Sequence, residues 1–494
     1  MMKDTHSKMA FLPLFIFSFF WGFSQEKQVV SEIFKQYEDY KESHLKERRI
    51  THSNLQPLIN RWKNNPEVEV QKVGESIEGR DLFLLSLGTG EKDVFLWSQM
   101  HGDESTATMA IFDLLNFFAD DSFTSEKQEL LNEIKLHFLP MLNPDGAESF
   151  QRRNALGIDV NRDALRLQSP EGKTLKRIRD SLDADFGFNL HDQSRYYNAE
   201  GSSNPATISF LAPAYNYEKE VNEVRGNAMK LIVGMNEQLQ RNIPGNVAKY
   251  NDDFEPRAFG DNIQKWGTST ILIESGGYPK DPEKQEIRKM NFLAILTALF
   301  SIANEDYQDK ELVDYQNIPQ NDSKLFDLKL TGLKYDLLGD SYILDLGINH
   351  GEIASEGDEK FFYRGRITDQ GDLSTNYGYE TIDASGFKIV PGKVFPEVQE
   401  NMEALKKLDF AALLEQGYAY VKLRNIPKGK SFTKFPLHVV GLNFEAPQIL
   451  QPGINPTFFL KKEGHPGYAL INGFIYLMKG ANPADLIKNA LIFR

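Results

Sequence analysis

The chain contains no cysteine, only nine histidines and no excess of basic residues. Without cysteine it can form neither disulfides nor thiolate-ligated zinc or iron–sulfur sites, so any metal must be bound by His, Asp or Glu. The formal net charge of −14 and the lack of clustered Lys and Arg argue against a nucleic-acid partner. The chain is long enough, at 494 residues with 41% apolar residues, for two or three domains with substantial cores.

The first 24 residues have the pattern of a secretory signal peptide. Lys3 and Lys8 precede the apolar run "MAFLPLFIFSFFWGF", which Pro13 interrupts. The run is too short and too interrupted for a membrane span, and the alternative is a buried N-terminal helix. We predict cleavage near Ser24 and a secreted or periplasmic protein. No lipid anchor is expected there, because cysteine is absent.

The rest of the chain divides by its pattern into two domains. Residues 25–310 alternate strand-like and helical segments, which is typical of an α/β sheet covered by helices. The predicted strands are Asp81–Leu87, Asp93–Met100, Ile134–Leu142, Asp185–His191 and Ser269–Ser275, and a helix over Met290–Glu305 closes this domain. The polar stretch 311–324 predicts a linker. Short strand-like segments between Gly, Asp and Asn turns then predict a β-rich accessory domain over residues 325–494, interrupted by one helix near residues 397–416.

Two strand-like segments end in residues that could bind a metal. His101 and Glu104 follow the strand predicted at Asp93–Met100, and His191 ends the one predicted at Asp185–His191. Both would lie at the carboxyl edge of the sheet, where α/β folds usually bind ligands. Two histidines and a glutamate are a common set of protein ligands for catalytic zinc, with a fourth position left for water. Each histidine alone is more often a hydrogen-bonded structural residue.

Two further stretches add candidate site residues. The segment Leu142–Glu171 contains an Asn-Pro-Asp-Gly turn and then places Arg152, Asn161 and Arg162 in one loop. Arginine binds carboxylates through a bidentate fork, so this loop suits a substrate with a free carboxylate; the alternative is a solvated loop. Glu274 ends the apolar segment "STILIE", where a buried carboxylate is costly unless it has a task such as general base.

The order of these motifs resembles that of the zinc carboxypeptidases of the M14 peptidase family. The resemblance covers roughly residues 31–303 and rests on HxxE, NPDG, "RRNALGIDVNRD" and the strand-end His and Glu. It implies a mixed, mostly parallel sheet flanked by helices and one zinc ion held by His101, Glu104 and His191. It also implies that Glu274 is the general base, which takes a proton from the water bound to zinc and later protonates the leaving amine.

The resemblance assigns the remaining candidates to the substrate. Arg152 matches the arginine that stabilises the oxyanion, whereas the neighbouring Arg153 is the weaker match. Asn161 and Arg162 match the pair that binds the terminal carboxylate of a peptide. Tyr250 is the nearest candidate for the tyrosine that closes over substrate, although its surrounding segment differs in length and charge from the family pattern.

The sequence leaves the substrate itself open. Asp261 or Asp253 would favour a basic residue or a diamino acid at the substrate's C-terminus, whereas Arg257 would favour an acidic one. Cell-wall peptides and other peptides are both candidate substrates. Two other functions also fit: a zinc amidohydrolase or acylase of the same fold acting on small N-acyl amino acids, and a secreted binding protein without catalysis.

Overall fold

The computed structural model describes residues 28–355, 361–479 and 483–494. The chain forms two compact units, the first ending at Ser323 and the second beginning at Lys324. The signal peptide predicted over residues 1–24 lies outside the described residues, so it and the secreted or periplasmic location stay predictions. In the described part of the chain, no helix combines the length and the apolar character needed to cross a membrane.

The first unit is built around a twisted sheet of eight strands. The strands of this unit are β1 (Glu69–Glu75), β2 (Asp81–Leu87), β3 (Lys92–Trp97), β4 (Ile134–Leu139), β5 (Phe186–Asp192), β6 (Asn198–Ala199), β7 (Ile208–Leu211), β8 (Val247–Lys249), β9 (Ser269–Ser275) and β10 (Asn321–Asp322). The sheet order is β1-β2-β4-β3-β5-β9-β7-β8, and β6 pairs separately with β10. The pairs β3–β4, β3–β5, β5–β9 and β7–β8 are parallel and the other three are antiparallel, so the predicted mixed, mostly parallel sheet is confirmed.

Helices cover both faces of this sheet. They are α1 (residues 28–35), α2 (Tyr37–Tyr40), α3 (His52–Lys63), α4 (Thr106–Ala119), α5 (Thr124–Glu133), α6 (Pro144–Glu148), α7 (Pro170–Leu182), α8 (Glu223–Leu239), α9 (Phe259–Lys265), α10 (Gln285–Asn304) and α11 (Leu312–Asn317), with 3-10 turns at Val160–Arg162 and Asp306–Asp309. Strand β3 shows how the layers form, because side chains alternate between the two faces of a strand. Val94 and Leu96 pack in the core with α4, α8 and α10, whereas Phe95 and Trp97 pack in the core with α7 and α9.

The segment predicted as a linker is instead part of the first unit. Residues 311–324 form α11 and β10, and β10 pairs with β6. Tyr315 and Ile318 are buried, and the Tyr315 hydroxyl accepts a hydrogen bond from the Ala212 N–H at 3.2 Å. The linker prediction is wrong because these two apolar residues, one helical turn apart, anchor a segment whose other residues are mostly polar.

The second unit is β-rich, as predicted. Its strands are β11 (Leu325–Leu337), β12 (Asp340–Ala354), β13 (Phe361–Gly371), β14 (Tyr377–Asp383), β15 (Lys388–Pro391), β16 (Lys393–Gln399), β17 (Tyr418–Leu423), β18 (Phe432–Thr433), β19 (His438–Val440), β20 (Phe458–Lys462), β21 (His465–Ile471), β22 (Phe474–Leu477) and β23 (Ala490–Phe493). Its described helices are α12 (Met402–Leu405), α13 (Phe410–Glu415) and α14 (Pro483–Leu486). The strands form one sheet of eight strands around β11 and β12 and another of five strands around β17 and β19.

Two predictions within this unit differ from the structure. The single helix predicted near residues 397–416 is two short helices, α12 and α13, preceded by the end of β16. The first three strands are long, with 13, 15 and 11 residues in β11, β12 and β13, whereas the later strands are short, as predicted. Gly347 lies within the pairing of β12 with β13 and does not end the strand. The Phe326 ring takes the space that a Cβ would need at this position.

Candidate active site

The three predicted metal ligands come from two neighbouring parallel strands. His101 and Glu104 lie in the loop between β3 and α4, where the Glu104 N–H donates to the His101 carbonyl at 3.2 Å and closes a turn. His191 lies near the end of β5. Because β3 and β5 are parallel and adjacent, their carboxyl ends share one edge of the sheet. The loop and the strand end therefore bring the two histidines to the same place.

The ligand atoms of these residues converge on one point. One nitrogen or oxygen from each of His101, Glu104 and His191 lies within 4.8 Å of the others, and all three residues are buried. The Glu104 carboxylate lies between the imidazoles, with Oε1 at 2.8 Å from His101 Nδ1 and Oε2 at 2.7 Å from His191 Nδ1. Two imidazole nitrogens and one carboxylate, without cysteine, fit the donor set of a zinc site. Among the described residues, no other group of His, Asp and Glu converges in this way.

The electrostatics of this cluster favour a bound cation. Burial raises the pKa of Glu104, but the two imidazoles outweigh that effect and hold its pKa below the usual range, so the carboxylate stays ionised. Burial lowers the pKa of His101, but Glu104 and Asp159 outweigh it and raise the pKa to about 9. Burial lowers the pKa of His191, which favours the neutral imidazole that a metal needs. The negative surroundings that favour a proton on His101 also favour a divalent ion.

Asp159 contributes to the site, although the sequence alone does not predict a role for it. Its Oδ1 lies 3.1 Å from His101 Nε2, and its Oδ2 accepts the Arg152 Nε–H at 3.0 Å. An imidazole whose Nε2–H donates to a carboxylate leaves Nδ1 available to a metal and is fixed in orientation. In the sequence, Asp159 stands two residues before Asn161 in "IDVNRD", and this closeness to a candidate site residue is the signal that could have identified it. In the structure, Asp159 Oδ1 also accepts the Asn161 N–H at 3.0 Å.

The predicted substrate-binding residues lie around the cluster. Arg152 Nη1 is 3.1 Å from His101 Nδ1 and 3.3 Å from Glu104 Oε1, and its side chain is 43% exposed. Asn161 is buried on the 3-10 turn, with Nδ2 at 3.5 Å from His191 Nε2. The adjacent Arg162 donates from Nη1 to the Asn161 carbonyl at 2.8 Å and is about one-third exposed. The loop thus brings two partly exposed guanidinium groups to the edge of the metal-ligand cluster.

Glu274 lies beside His191 on the next strand. The two residues are register partners in the parallel pair of β5 and β9, so their side chains emerge on the same face of the sheet. Glu274 is buried, and within the described residues its carboxylate has no hydrogen-bond partner. Burial and the charge of Glu104 raise the pKa of Glu274 well above the usual value. A carboxyl group with a raised pKa takes up a proton more readily than an exposed one, which suits a role in proton transfer.

Tyr250 lies within electrostatic reach of Glu274. It follows β8, and its backbone N–H donates to the Phe210 carbonyl on β7 at 2.8 Å. Its ring packs edge-on against Tyr197, with 6.2 Å between the ring centroids. Burial and the negative charge of Glu274 raise the pKa of the Tyr250 hydroxyl. The position therefore agrees with a residue near the substrate, although the hydroxyl already faces another tyrosine.

The structure separates the three residues considered for side-chain specificity. Asp253 forms an ion pair with Lys219 at 2.7 Å, and Arg257 forms one with Glu255 at 3.1 Å. Asp261, in the first turn of α9, accepts the Glu255 N–H at 2.9 Å and has no salt bridge within the described residues. Burial raises the pKa of Asp261 to about 7. Of the three, only Asp261 keeps a charge that is not already balanced by an ion pair.

Comparison with known proteins matches the part of the chain that holds this cluster. Residues 56–230 match the family model described as zinc carboxypeptidase, and this range contains His101, Glu104, His191 and the Arg152–Arg162 loop. The chain is therefore similar to zinc carboxypeptidases over these residues. Glu274 and Tyr250 lie beyond the matched range.

Individual carboxypeptidases are similar to this chain over part of their length. Carboxypeptidase SOL1 of Arabidopsis thaliana is 27% identical over 29% of this chain and 35% of its own length. The catalytic chain of human carboxypeptidase N is 30% identical over 19% of this chain and 25% of its own. The chain thus spans about a third or less of these relatives. The solved metallo-carboxypeptidase of Burkholderia cenocepacia is similar with a TM-score of 0.42 and 19% identity, over 51% of this chain and 69% of that one.

Proposed function

We propose that this protein is a zinc-dependent metallocarboxypeptidase that hydrolyses the C-terminal peptide bond of peptides. The observation that carries the proposal is the convergence of His101, Glu104 and His191 on one point, within 4.8 Å of one another, beside the buried carboxyl of Glu274. The match of residues 56–230 to the zinc carboxypeptidase family model supports it.

The proposed metal is one zinc ion held by His101, Glu104 and His191. When bound, zinc acts as a Lewis acid that polarises a carbonyl group and lowers the pKa of water. The chain's own part is to hold the ligands in place. Asp159 fixes the His101 ring through Nε2, and the Asp192 N–H donates to Glu104 Oε2 at 3.2 Å.

Glu274 is the proposed general base and acid. Its raised pKa matches that task, because a carboxylate with a raised pKa is a stronger base toward the attacking water, and the carboxyl group so formed can later protonate the leaving amine. The absence of a hydrogen-bond partner among the described residues leaves its oxygens available for both transfers. Because it sits in a strand, its position relative to His191 is fixed by sheet register.

The proposed substrate is a peptide with a free C-terminal carboxylate, which Asn161 and Arg162 would bind. The Asn161 amide and the Arg162 guanidinium offer donors that match a carboxylate. Arg152, which lies against the cluster and is partly exposed, would stabilise the negative charge that develops on the scissile carbonyl oxygen. Tyr250 would contact the bound peptide near Glu274.

Glu274→Gln tests the proposal. The variant should keep one zinc per chain, since no ligand changes, and should lose nearly all turnover of peptides such as hippuryl-amino acids because the amide cannot shuttle a proton. Zinc content is measured on the same preparation as kcat. Unaltered turnover would reject Glu274 as the base.

The same assay separates the alternative functions. Wild-type protein is tested on peptides, including diaminopimelate-containing wall fragments, and on small N-acyl amino acids. Hydrolysis confined to the N-acyl amino acids would indicate an amidohydrolase or acylase. Zinc binding without hydrolysis of either class would indicate a binding protein.

A further inference from the structure

Lys284 connects the two strands that carry the predicted metal ligand His191 and the proposed base Glu274. The Lys284 Nζ donates to Asp192 Oδ2 at 3.0 Å and to the Ser275 carbonyl oxygen at 2.9 Å. Asp192 and Ser275 are themselves register partners, one step beyond His191 and Glu274 on β5 and β9. The ammonium group therefore bridges the two strands directly after the pair of residues that the reaction needs.

The bridge is largely shielded from water. The Lys284 side chain is 13% exposed and that of Asp192 is 8% exposed. Asp192 Oδ2 also accepts the Thr106 hydroxyl at 2.6 Å, at the start of α4, whereas the buried Oδ1 has no hydrogen-bond partner in the described part of the chain. Ion pairs excluded from water are much less screened than surface pairs, and removing one partner leaves an uncompensated charge.

The backbone around Lys284 supports a specific placement of this side chain. Lys284 has a φ of 53°, in the left-handed region that is uncommon for residues other than glycine. Lys284 directly precedes α10. Asp281 caps the first turn of this helix, because Asp281 Oδ1 accepts the Gln285 N–H at 2.7 Å and Asp281 Oδ2 accepts the Glu286 N–H at 2.9 Å. The fold thus fixes an unfavourable conformation at the residue whose ammonium reaches the end of β9.

We propose that Lys284, through Asp192 and the Ser275 carbonyl, is a positioning residue that holds Glu274 at its working distance from the metal ligands. Glu274 has no hydrogen-bond partner of its own in the described residues, so its place depends on the backbone of β9. Lys284 anchors that backbone one residue away and ties it to β5. This inference rests on the proposed function, in which Glu274 is the base.

The test compares Lys284→Met with Lys284→Arg and with a matched control. Lys310→Met removes a lysine of similar burial, 12% exposed, from a bidentate ion pair with Glu237 that involves no candidate site residue. A displacement of about 1 Å at a reacting group can lower turnover by about a hundredfold. Lys284→Met should accordingly lower kcat by at least about tenfold, with KM and the zinc dissociation constant of the apo protein nearly unchanged. Lys284→Arg should restore most of kcat, and Lys310→Met should leave it unchanged.

Two measurements keep the inference testable without activity or in a poorly folding variant. Hydrogen exchange of the zinc-loaded protein should be faster at residues 274–276 in Lys284→Met than in the wild type or in Lys310→Met. The double variant Lys284→Met/Asp192→Asn removes the uncompensated charge, so it should regain thermal stability but not kcat.

The outcomes divide clearly. The positioning role would be overturned by unchanged kcat in a folded Lys284→Met protein or by a loss of kcat in proportion to the loss of zinc. Recovery of kcat in the double variant, or unchanged hydrogen exchange at residues 274–276, would also overturn it. If the wild type hydrolyses no substrate, the proposed function fails, and the exchange experiment still decides whether Lys284 holds the end of β9.

Discussion

His191 and Glu274 are register partners on the parallel strands β5 and β9. Neighbouring strands lie about 4.8 Å apart, so a predicted metal ligand and the proposed base are held side by side by main-chain hydrogen bonds and not by mobile loops. Sites built on strands keep their geometry better than sites on loops. By contrast, the proposed substrate-binding residues Arg152, Asn161 and Arg162 come from one irregular segment at the same edge.

Removal of the His191 imidazole should abolish zinc binding. We expect His191→Ala to contain less than one-tenth of the zinc of the wild type, because two remaining ligands hold the ion far more weakly than three. Zinc added to the apo wild type should raise its melting temperature, since a ligand that binds only the folded state adds about 2.7 kcal/mol at a hundredfold excess over Kd. Zinc should not stabilise the variant. Metal analysis and calorimetry measure both effects.

His137→Ala is the matched control for this experiment. His137 is also buried on a strand of the same sheet, but its nitrogens face Ser86 at 2.8 Å and Asp93 at 2.7 Å, not the cluster. This variant should lose stability and still bind one zinc ion. Full zinc content in His191→Ala would contradict the proposed ligand set.

Substitution of Arg162 should weaken the binding of peptides with a free C-terminus. A hydrogen bond to a charged group contributes about 1.5–3 kcal/mol, so Arg162→Met should raise KM by about 10- to 100-fold with a smaller change in kcat. Kinetics on a peptide acid and on the matching peptide amide measure this, and the amide should be a poor substrate of both proteins. The control is Arg153, a second arginine of the same segment, which is exposed and donates to the Gly157 carbonyl at 2.9 Å. If Arg153→Met raised KM as much as Arg162→Met, the assignment of Arg162 to the carboxylate site would be wrong.

The position of the candidate site at one sheet edge could be predicted from the sequence, but its internal contacts could not. Strand-end polar residues after apolar runs indicated His101, His191 and Glu274, because a strand's carboxyl end is a recognisable point in a pattern of alternating elements. Strands β5 and β9 are neighbours although register partners such as His191 and Glu274 are 83 residues apart in the chain. Neither strand's pattern encodes this adjacency, which follows from the strand order β3-β5-β9-β7. The members of the cluster can therefore be predicted from the sequence, but their pairing cannot.

Residues that act through other residues were missed for a related reason. Asp159 and Lys284 are ordinary charged residues in polar segments, and their roles depend on which atoms the fold brings within hydrogen-bond distance. The error in residues 311–324 has the same origin. Their composition is polar, and only the packing of Tyr315 and Ile318 shows that the segment belongs to the first unit.

We expect Asp261 to give the proposed carboxypeptidase activity a preference for a basic C-terminal residue. Asp261 has no salt bridge in the described part of the chain, and burial raises its pKa to about 7. The carboxyl is therefore mostly neutral below pH 7 and ionised above it, so kcat/KM for C-terminal Lys relative to Leu should rise between pH 6 and 8. Asp261→Asn should remove that rise. Asp253→Asn is the control, because Lys219 already pairs with Asp253. A preference for acidic residues, or a ratio independent of pH, would contradict this assignment.

Protonation of His438 should destabilise the second unit in acid. His438 is fully buried in β19, where its Nδ1 accepts the Leu491 N–H at 2.7 Å and its Nε2 lies 2.8 Å from the Thr457 hydroxyl. Burial lowers its pKa to about 3, against about 6.5 for an unperturbed histidine. Between these two values the unfolded chain binds a proton that the folded chain does not. Stability from this residue is therefore complete above pH 6.5 and falls as the pH drops towards 3, by at most about 1.4 kcal/mol per pH unit.

Calorimetry of the full chain at pH 7 and pH 5 isolates this effect by comparison with His438→Gln. Glutamine offers one acceptor and one donor and cannot take up the proton, so the variant starts with a lower melting temperature at pH 7 but loses less of it at pH 5. All other titrating groups are common to both proteins, so the difference between the two shifts reports His438 alone. Equal shifts would mean that His438 takes up its proton in the folded state as readily as in the unfolded one. That result would require the hydrogen bonds to Leu491 and Thr457 to break with no loss of stability. The burial of the His438 ring between Tyr420 and Phe493 makes us expect the opposite.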